Sequence, residues 1–212
     1  MKRSAEIIIA STLLMSTVFM ASCSKEAAES SSTVLGDSRQ TQESETTIAP
    51  QDRTVTYSEI KGTFSGSSYI NNNSALTVTT PEGWTHLGED ETAEYWGSTD
   101  LIRKSDDVLA FNDVAYESVW KATNGDNMSI MLMYAPGASE ADYGAVLNTD
   151  DFENVTLGNK EVAVNYSSYV VDDTEIQMAR IINYNNDTMT VITINCLTSE
   201  DIENVMANIE FN

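Results

Sequence analysis

Few side chains in this chain of 212 residues suit nucleophilic or metal chemistry: two cysteines, Cys23 and Cys196, and one histidine, His86. Cys23 ends the run Met20-Ala21-Ser22-Cys23, where small residues precede a cysteine just after a short apolar stretch. This is the pattern of a bacterial lipobox, whose cysteine sulfur receives a diacylglyceryl group and becomes the first residue after cleavage. Met20 stands where leucine is usual, and Glu6 dilutes the positive start made by Lys2 and Arg3. Ile7 to Ala21 is too short for a bilayer, which takes ~20 apolar residues, but right for the h-region of an export signal. Residues 1–22 are therefore expected to be a lipoprotein signal peptide and Cys23 the lipidation site; a plain secretory signal with a chance cysteine is the alternative. Two acyl chains anchor stably where one does not. The mature chain is expected on the extracytoplasmic face of a bacterial membrane, lipid-anchored.

With Cys23 acylated, Cys196 has no partner for an internal disulfide. Its setting, the strand-like run "TVITINC", marks a small buried apolar residue rather than a reactive thiol. Any Ser-His-Asp or Cys-His arrangement has to use His86, expected in a loop after a strand, where an exposed loop histidine is the plainer reading. In "GTFSG" the serine, Ser65, comes one place too late for a nucleophile elbow. Zinc needs several Cys or His ligands, which are lacking. Calcium needs only oxygens, and Glu89-Asp90-Glu91, Asp150-Asp151-Glu153 and Asp172-Asp173-Glu175 supply them. None has the EF-hand spacing, and each falls at an expected helix start or turn, where acids belong for local reasons. No metal and no cofactor is assigned: there is no phosphate-binding or dinucleotide glycine motif. Paired carboxylates for glycoside cleavage carry no signal, because in a chain with 33 acids a chance pair is expected.

Trp84, Tyr95, Trp96, Phe111, Tyr116 and Trp120 crowd into the stretch with the weakest regular pattern. Trp84, Tyr95, Trp96, Tyr116 and Trp120 form the candidate ligand-binding set, able to line a groove for a peptide or glycan. Equally, such rings pin a long loop to a sheet.

The elements that must position these residues follow from composition and period. Residues 24–53 are rich in Ser, Thr, Glu and Gln and lack aromatics, so they cannot offset their ordering entropy. They read as a tether with a reach of about 30 Å. Residues 54–212 read as one α+β domain. Within it "ALTVTTPEGW" is a strand and a type I turn over Thr80 to Gly83, and "NMSIMLMYA" is apolar on both parities, as a central strand is. Asn124-Gly125 signals a hairpin. "EVAVNYSSYVV", with Val162, Val164 and Tyr166 in phase, "EIQMARIINY" and "TMTVITINC" are separated by turns at Asp172-Asp173 and at Asn185 to Asp187, giving an antiparallel meander. Helices are expected after the Thr198/Asp201 cap, with Ile202, Val205, Met206 and Ile209 as apolar stripe, after Ser139/Asp142, and over "GEDETAEYWG".

Two stretches resemble bacterial lipoprotein domains of the PsbP/Mog1-like group: "GTFSGSSYINNNSALTVTTPEGW", with its strand, Tyr-x-Asn turn, second strand and Pro-x-Gly-Trp, and the closing strand and helix "TMTVITINCLTSEDIENVMANIEF". The resemblance implies an antiparallel sheet of about six strands flanked by helices. It also implies a binding or assembly role, since the group's extrinsic photosystem subunit and its small-GTPase partner are not enzymes. Neither of those partners suits a tethered extracytoplasmic protein.

The net charge is −22, and loss of Lys2, Arg3 and Glu6 with the leader makes it one unit more negative. Such a chain repels nucleic acid. The expectation is a membrane-anchored, non-catalytic interaction module for a protein or envelope component. The alternative is a lipoprotein that captures a small ligand or metal through segment 84–120 and the acidic loops; a carboxylate-dependent hydrolase ranks last.

Overall fold

β-Branched and aromatic residues, alternating between pairs of turn-forming residues, build the strands within residues 54–97, 102–147 and 151–212, which the computed structural model describes. Residues 1–53, which hold the expected leader, Cys23 and the expected tether, lie outside the described residues. In chain order the elements are β1 (Val55–Thr56), α1 (Tyr57–Ile60), β2 (Thr63–Ser65), β3 (Ser68–Asn71), β4 (Leu76–Thr79), β5 (Trp84–His86) and α2 (Glu89–Trp96). Then come β6 (Val108–Leu109), β7 (Val114–Ala122), β8 (Asn127–Tyr134), a 3-10 turn (Glu140–Asp142), α3 (Tyr143–Leu147), β9 (Glu153–Leu157), β10 (Lys160–Val171), β11 (Thr174–Asn185), β12 (Thr188–Cys196), α4 (Ser199–Met206) and β13 (Ile209–Phe211).

Three hairpins organise the main sheet. Asp172 and Asp173 (φ 48° and 63°) join β10 to β11, and Asn186 and Asp187 (φ 48° and 62°) join β11 to β12. Two-residue loops with both φ positive match the twist of the flanking strands, and Asp and Asn tolerate that region better than other side chains. Asn124-Gly125 turns β7 into β8, with Gly125 at φ 102°. The resulting seven-stranded sheet runs β5-β7-β8-β12-β11-β10-β9, and a four-stranded sheet runs β13-β4-β3-β2. β1 and β6 form a two-stranded ribbon. Every pairing among named strands is antiparallel, so the α+β architecture is the one expected, with a larger central sheet and a second, smaller one.

Each face of the main sheet has its own core. On one face Ile130, Leu132, Ile181, Ile192 and Ile194 pack with Leu76, Val78, Ile209 and Phe211 of the small sheet and with Ile202, Val205 and Met206 of α4. On the other, Met131, Ala163, Ile182, Met189 and Val191 pack with Tyr143 of α3. Both parities of β8 are buried, as its doubly apolar pattern requires. Cys196 is a buried free thiol in β12.

Three local expectations are corrected. Ile209 does not continue the α4 stripe: the helix ends at Met206, and Ile209 pairs with Val78 in β13. The turn before β5 lies one residue later than expected, with the Trp84 N–H donating to the Pro81 carbonyl (3.1 Å) and Gly83 at φ 79° in the third position, a conformation glycine adopts freely. His86 is not in a loop; it is in β5, opposite Trp120 of β7. The caps stand as read. The Asp201 N–H donates to Thr198 Oγ1 (3.1 Å), and the Ser139 N–H to Asp142 Oδ2 (2.8 Å).

Candidate functional site

The five aromatics singled out in the sequence divide between opposite faces of the main sheet. Trp84 packs against the core shared with the small sheet, and Trp120 is fully buried there, its indole N–H donating to Thr80 Oγ1 (3.2 Å). His86 and the exposed Phe64 cap this group, His86 lying 3.9 Å from Phe64 and 5.2 Å from Trp120 between ring centroids. Burial holds the His86 imidazole below its ordinary pKa. On the opposite face Trp96 stacks on Tyr116 (3.9 Å) and meets Tyr95 edge-on (4.9 Å). The Tyr95 hydroxyl donates to Asn127 Oδ1 (2.8 Å), which also accepts from Asn195 Nδ2 (2.9 Å). These rings therefore fasten α2 to the sheet. They do not share one groove.

The acidic runs are tied into local structure. Glu91 accepts from the Gly88 N–H (3.0 Å) as the cap of α2, and Asp172-Asp173 are the β10–β11 turn. Glu153 opens β9; Asp150 lies outside the described residues. Among the described residues no group of three or more His, Cys, Asp or Glu is arranged to hold a metal ion.

One carboxyl with unusual surroundings was not legible in the sequence. Glu117 sits at the bulge where the β7–β8 register shifts between Tyr116 and Ser118. It accepts from the Tyr57 hydroxyl (2.7 Å) and the Gly62 N–H (3.0 Å). Burial outweighs these bonds and pushes its pKa up to about 7. It fastens α1 and the following loop to β7. Gly62 has no room for a side chain, since a Cβ there would fall 2.3 Å from the Tyr69 ring.

The surface with spare bonding capacity is the outer end of β10. β9 pairs with Lys160 to Val164, and Asn165 Nδ2 donates to the Asp151 carbonyl (2.6 Å) just before β9, so among the described residues it is Tyr166 to Val171 that has no strand partner on its outer side. That stretch, Tyr-Ser-Ser-Tyr-Val-Val, carries no charge, proline or bulge, the devices that usually blunt a sheet edge. Tyr166 and Val170 are 45% and 68% exposed on one face of it. Beside them lies a cleft of about 530 Å³, floored by Tyr166, Ser168 and Gln177 and walled by Glu153 and by Ser199, Ile202 and Glu203 of α4. The Tyr166 hydroxyl donates to Met206 Sδ (3.5 Å), which fixes the ring across the cleft floor. Burial first, then the Glu153 and Glu203 carboxylates, hold that hydroxyl above its ordinary pKa.

No family model matches the chain, and no curated protein sequence matches it. Among solved structures it is similar to a protein of Bacteroides thetaiotaomicron, with 11% identity over 70% of this chain, 49% of that one, and a TM-score of 0.44. The chain thus spans about half of that protein's length. It is also similar to the cyanobacterial PsbP of Synechocystis, with 10% identity over 71% of this chain, 98% of that one, and a TM-score of 0.43. A third similar structure is LpqN of Mycobacterium tuberculosis, described as involved in cell envelope biogenesis, with 14% identity over 62% of this chain, 76% of that one, and a TM-score of 0.37.

Proposed function

We propose that the chain is a lipid-anchored, extracytoplasmic interaction module that holds a protein or envelope component and catalyses nothing. Its contact surface is the outer end of β10 with the cleft beneath α4. The observation that carries this reading is the uncharged stretch Tyr166 to Val171, which has no outer strand partner among the described residues and on which Tyr166 and Val170 are exposed. Unpaired strand edges offer a row of backbone donors and acceptors, and proteins leave them open where a partner completes the sheet. The anchor is Cys23, from the lipobox and the apolar run before it. No helix among the described residues is long and apolar enough to cross a membrane.

The test uses the full chain in bacterial cells. A photo-crosslinking amino acid placed at Val170 is expected to give an adduct with a macromolecule, while the same group at Phe111, 65% exposed elsewhere, gives none. Cys23→Ala is expected to move the protein out of the membrane fraction and to deplete the adduct. Equal crosslinking from both positions, or none from Val170, would sink the reading.

A further inference from the structure

The chemistry around the β10 edge narrows the partner. Its own residues are neutral, but acids surround it: Glu153 and Glu203 flank the cleft, Asp172 and Asp173 form the hairpin tip, and Glu175 pairs with Val170. The nearby cation, Arg180, pairs with Asn165 on the strand ladder, donates weakly to its Oδ1 (3.5 Å), and is half-buried. Tyr166, Ser168 and Val170 alternate along one face of the edge with Ser167, Tyr169 and Val171 on the other. A strand added here would place every second side chain over Tyr166 and Val170, beside the carboxylates. Side chains with a long apolar stem and a cationic head satisfy both surroundings at once.

We propose that the β10 edge takes an extended basic segment of another polypeptide, which adds as a strand beside Tyr166 to Val171 and lays alternate Lys or Arg side chains over Tyr166 and Val170 towards Glu153, Glu203 and Glu175. This deepens the interaction-module reading and rests on it. A second copy of the chain fits less well. Antiparallel pairing about Ser168 would set Tyr166 against Val170 of the other copy, which is favourable, but it would also bring the Asp172-Asp173 tip of each copy to the Glu153 end of the other. Two chains of net charge −22 repel as well.

The test is a titration of the full lipidated chain in neutral detergent micelles with a fluorescent octapeptide of alternating Lys and Val, against its Glu/Val counterpart. The Lys/Val peptide is expected to bind and the Glu/Val peptide not to, with affinity falling about tenfold or more between about 20 mM and 300 mM salt. Val170→Lys is expected to weaken binding by about tenfold or more, because it sets a cation on the edge and repels the incoming ones. Val108→Lys, at an exposed position on β6, leaves binding unchanged. Unchanged melting temperatures show that the variants fold. No binding of the Lys/Val peptide, a salt-insensitive affinity, or indifference to Val170→Lys overturns the proposal. So does a dimer that Val170→Lys dissociates, since the occupant is then a second copy. In each of these cases a crosslink from Val170 leaves the interaction module standing, whereas its absence removes both.

Discussion

Glu117 shows how one side chain can tie stability to pH. Its folded pKa, about 7, lies above the ordinary carboxyl value of 4.5, so between those values the folded chain binds the proton more tightly than the unfolded one. The group's contribution is complete below pH 4.5 and is lost as pH rises towards 7. The loss is at most about 3 kcal/mol, because each tenfold gain in proton affinity on folding is worth about 1.4 kcal/mol. Glu117→Gln keeps an oxygen to accept from the Gly62 N–H, its amide N–H can donate to the Tyr57 hydroxyl oxygen in place of accepting from it, and it cannot ionise. Urea titrations at several values from pH 4.5 to 8 are expected to show the wild type losing stability relative to the variant as pH rises. Parallel curves would mean that Glu117 stays ionised throughout. Nothing around "YESVW" announces this, because the bulge that turns Glu117 towards Tyr57 arises from pairing with β8.

Among the elements, α4 has both a legible cap and an illegible end. Thr198 accepts from the Asp201 N–H, and its own hydroxyl donates to Asp201 Oδ2 (2.6 Å). Thr198→Ala is expected to lower stability by about 1 kcal/mol, read as a shift in the urea midpoint at unchanged slope. The cap was readable because it is made within four residues. The end at Met206 was not, because Ile209 fits a helical stripe equally well and leaves it only to pair with β4, far away in sequence. β10 behaves in the same way. Its strand character and the Asp172-Asp173 turn are local, but the mismatch between its twelve residues and the five of β9 appears only once the two are paired.

The whole molecule carries its charge with little compensation. Arg103 and Asp113 (3.6 Å) form an ion pair at the surface, against a net charge of −22. Self-repulsion between exposed acids then outweighs attraction, and salt screens it. Raising NaCl from about 10 mM to 300 mM is expected to raise the melting temperature by about 2–4 °C. A fall would mean that attractive pairs dominate. Stabilisation by salt and weakening of the Lys/Val peptide by salt come from the same charges, and the two measurements check each other.

What could be read along the chain is what neighbouring residues decide. The expected export signal and Cys23, the strand periods, the hairpin turns and the caps of α2, α4 and the 3-10 turn all depend on side chains within a few positions of one another. The folded structure alone decides what depends on distant pairing. It sends Trp84 and Trp120 to one face of the sheet and Tyr95, Trp96 and Tyr116 to the other, puts His86 in a strand, and sets the half-buried Glu117 against Tyr57. It also leaves Tyr166 to Val171 without an outer strand partner among the described residues, because register and strand length are set by which strands meet, and no local pattern encodes how far β9 reaches along β10.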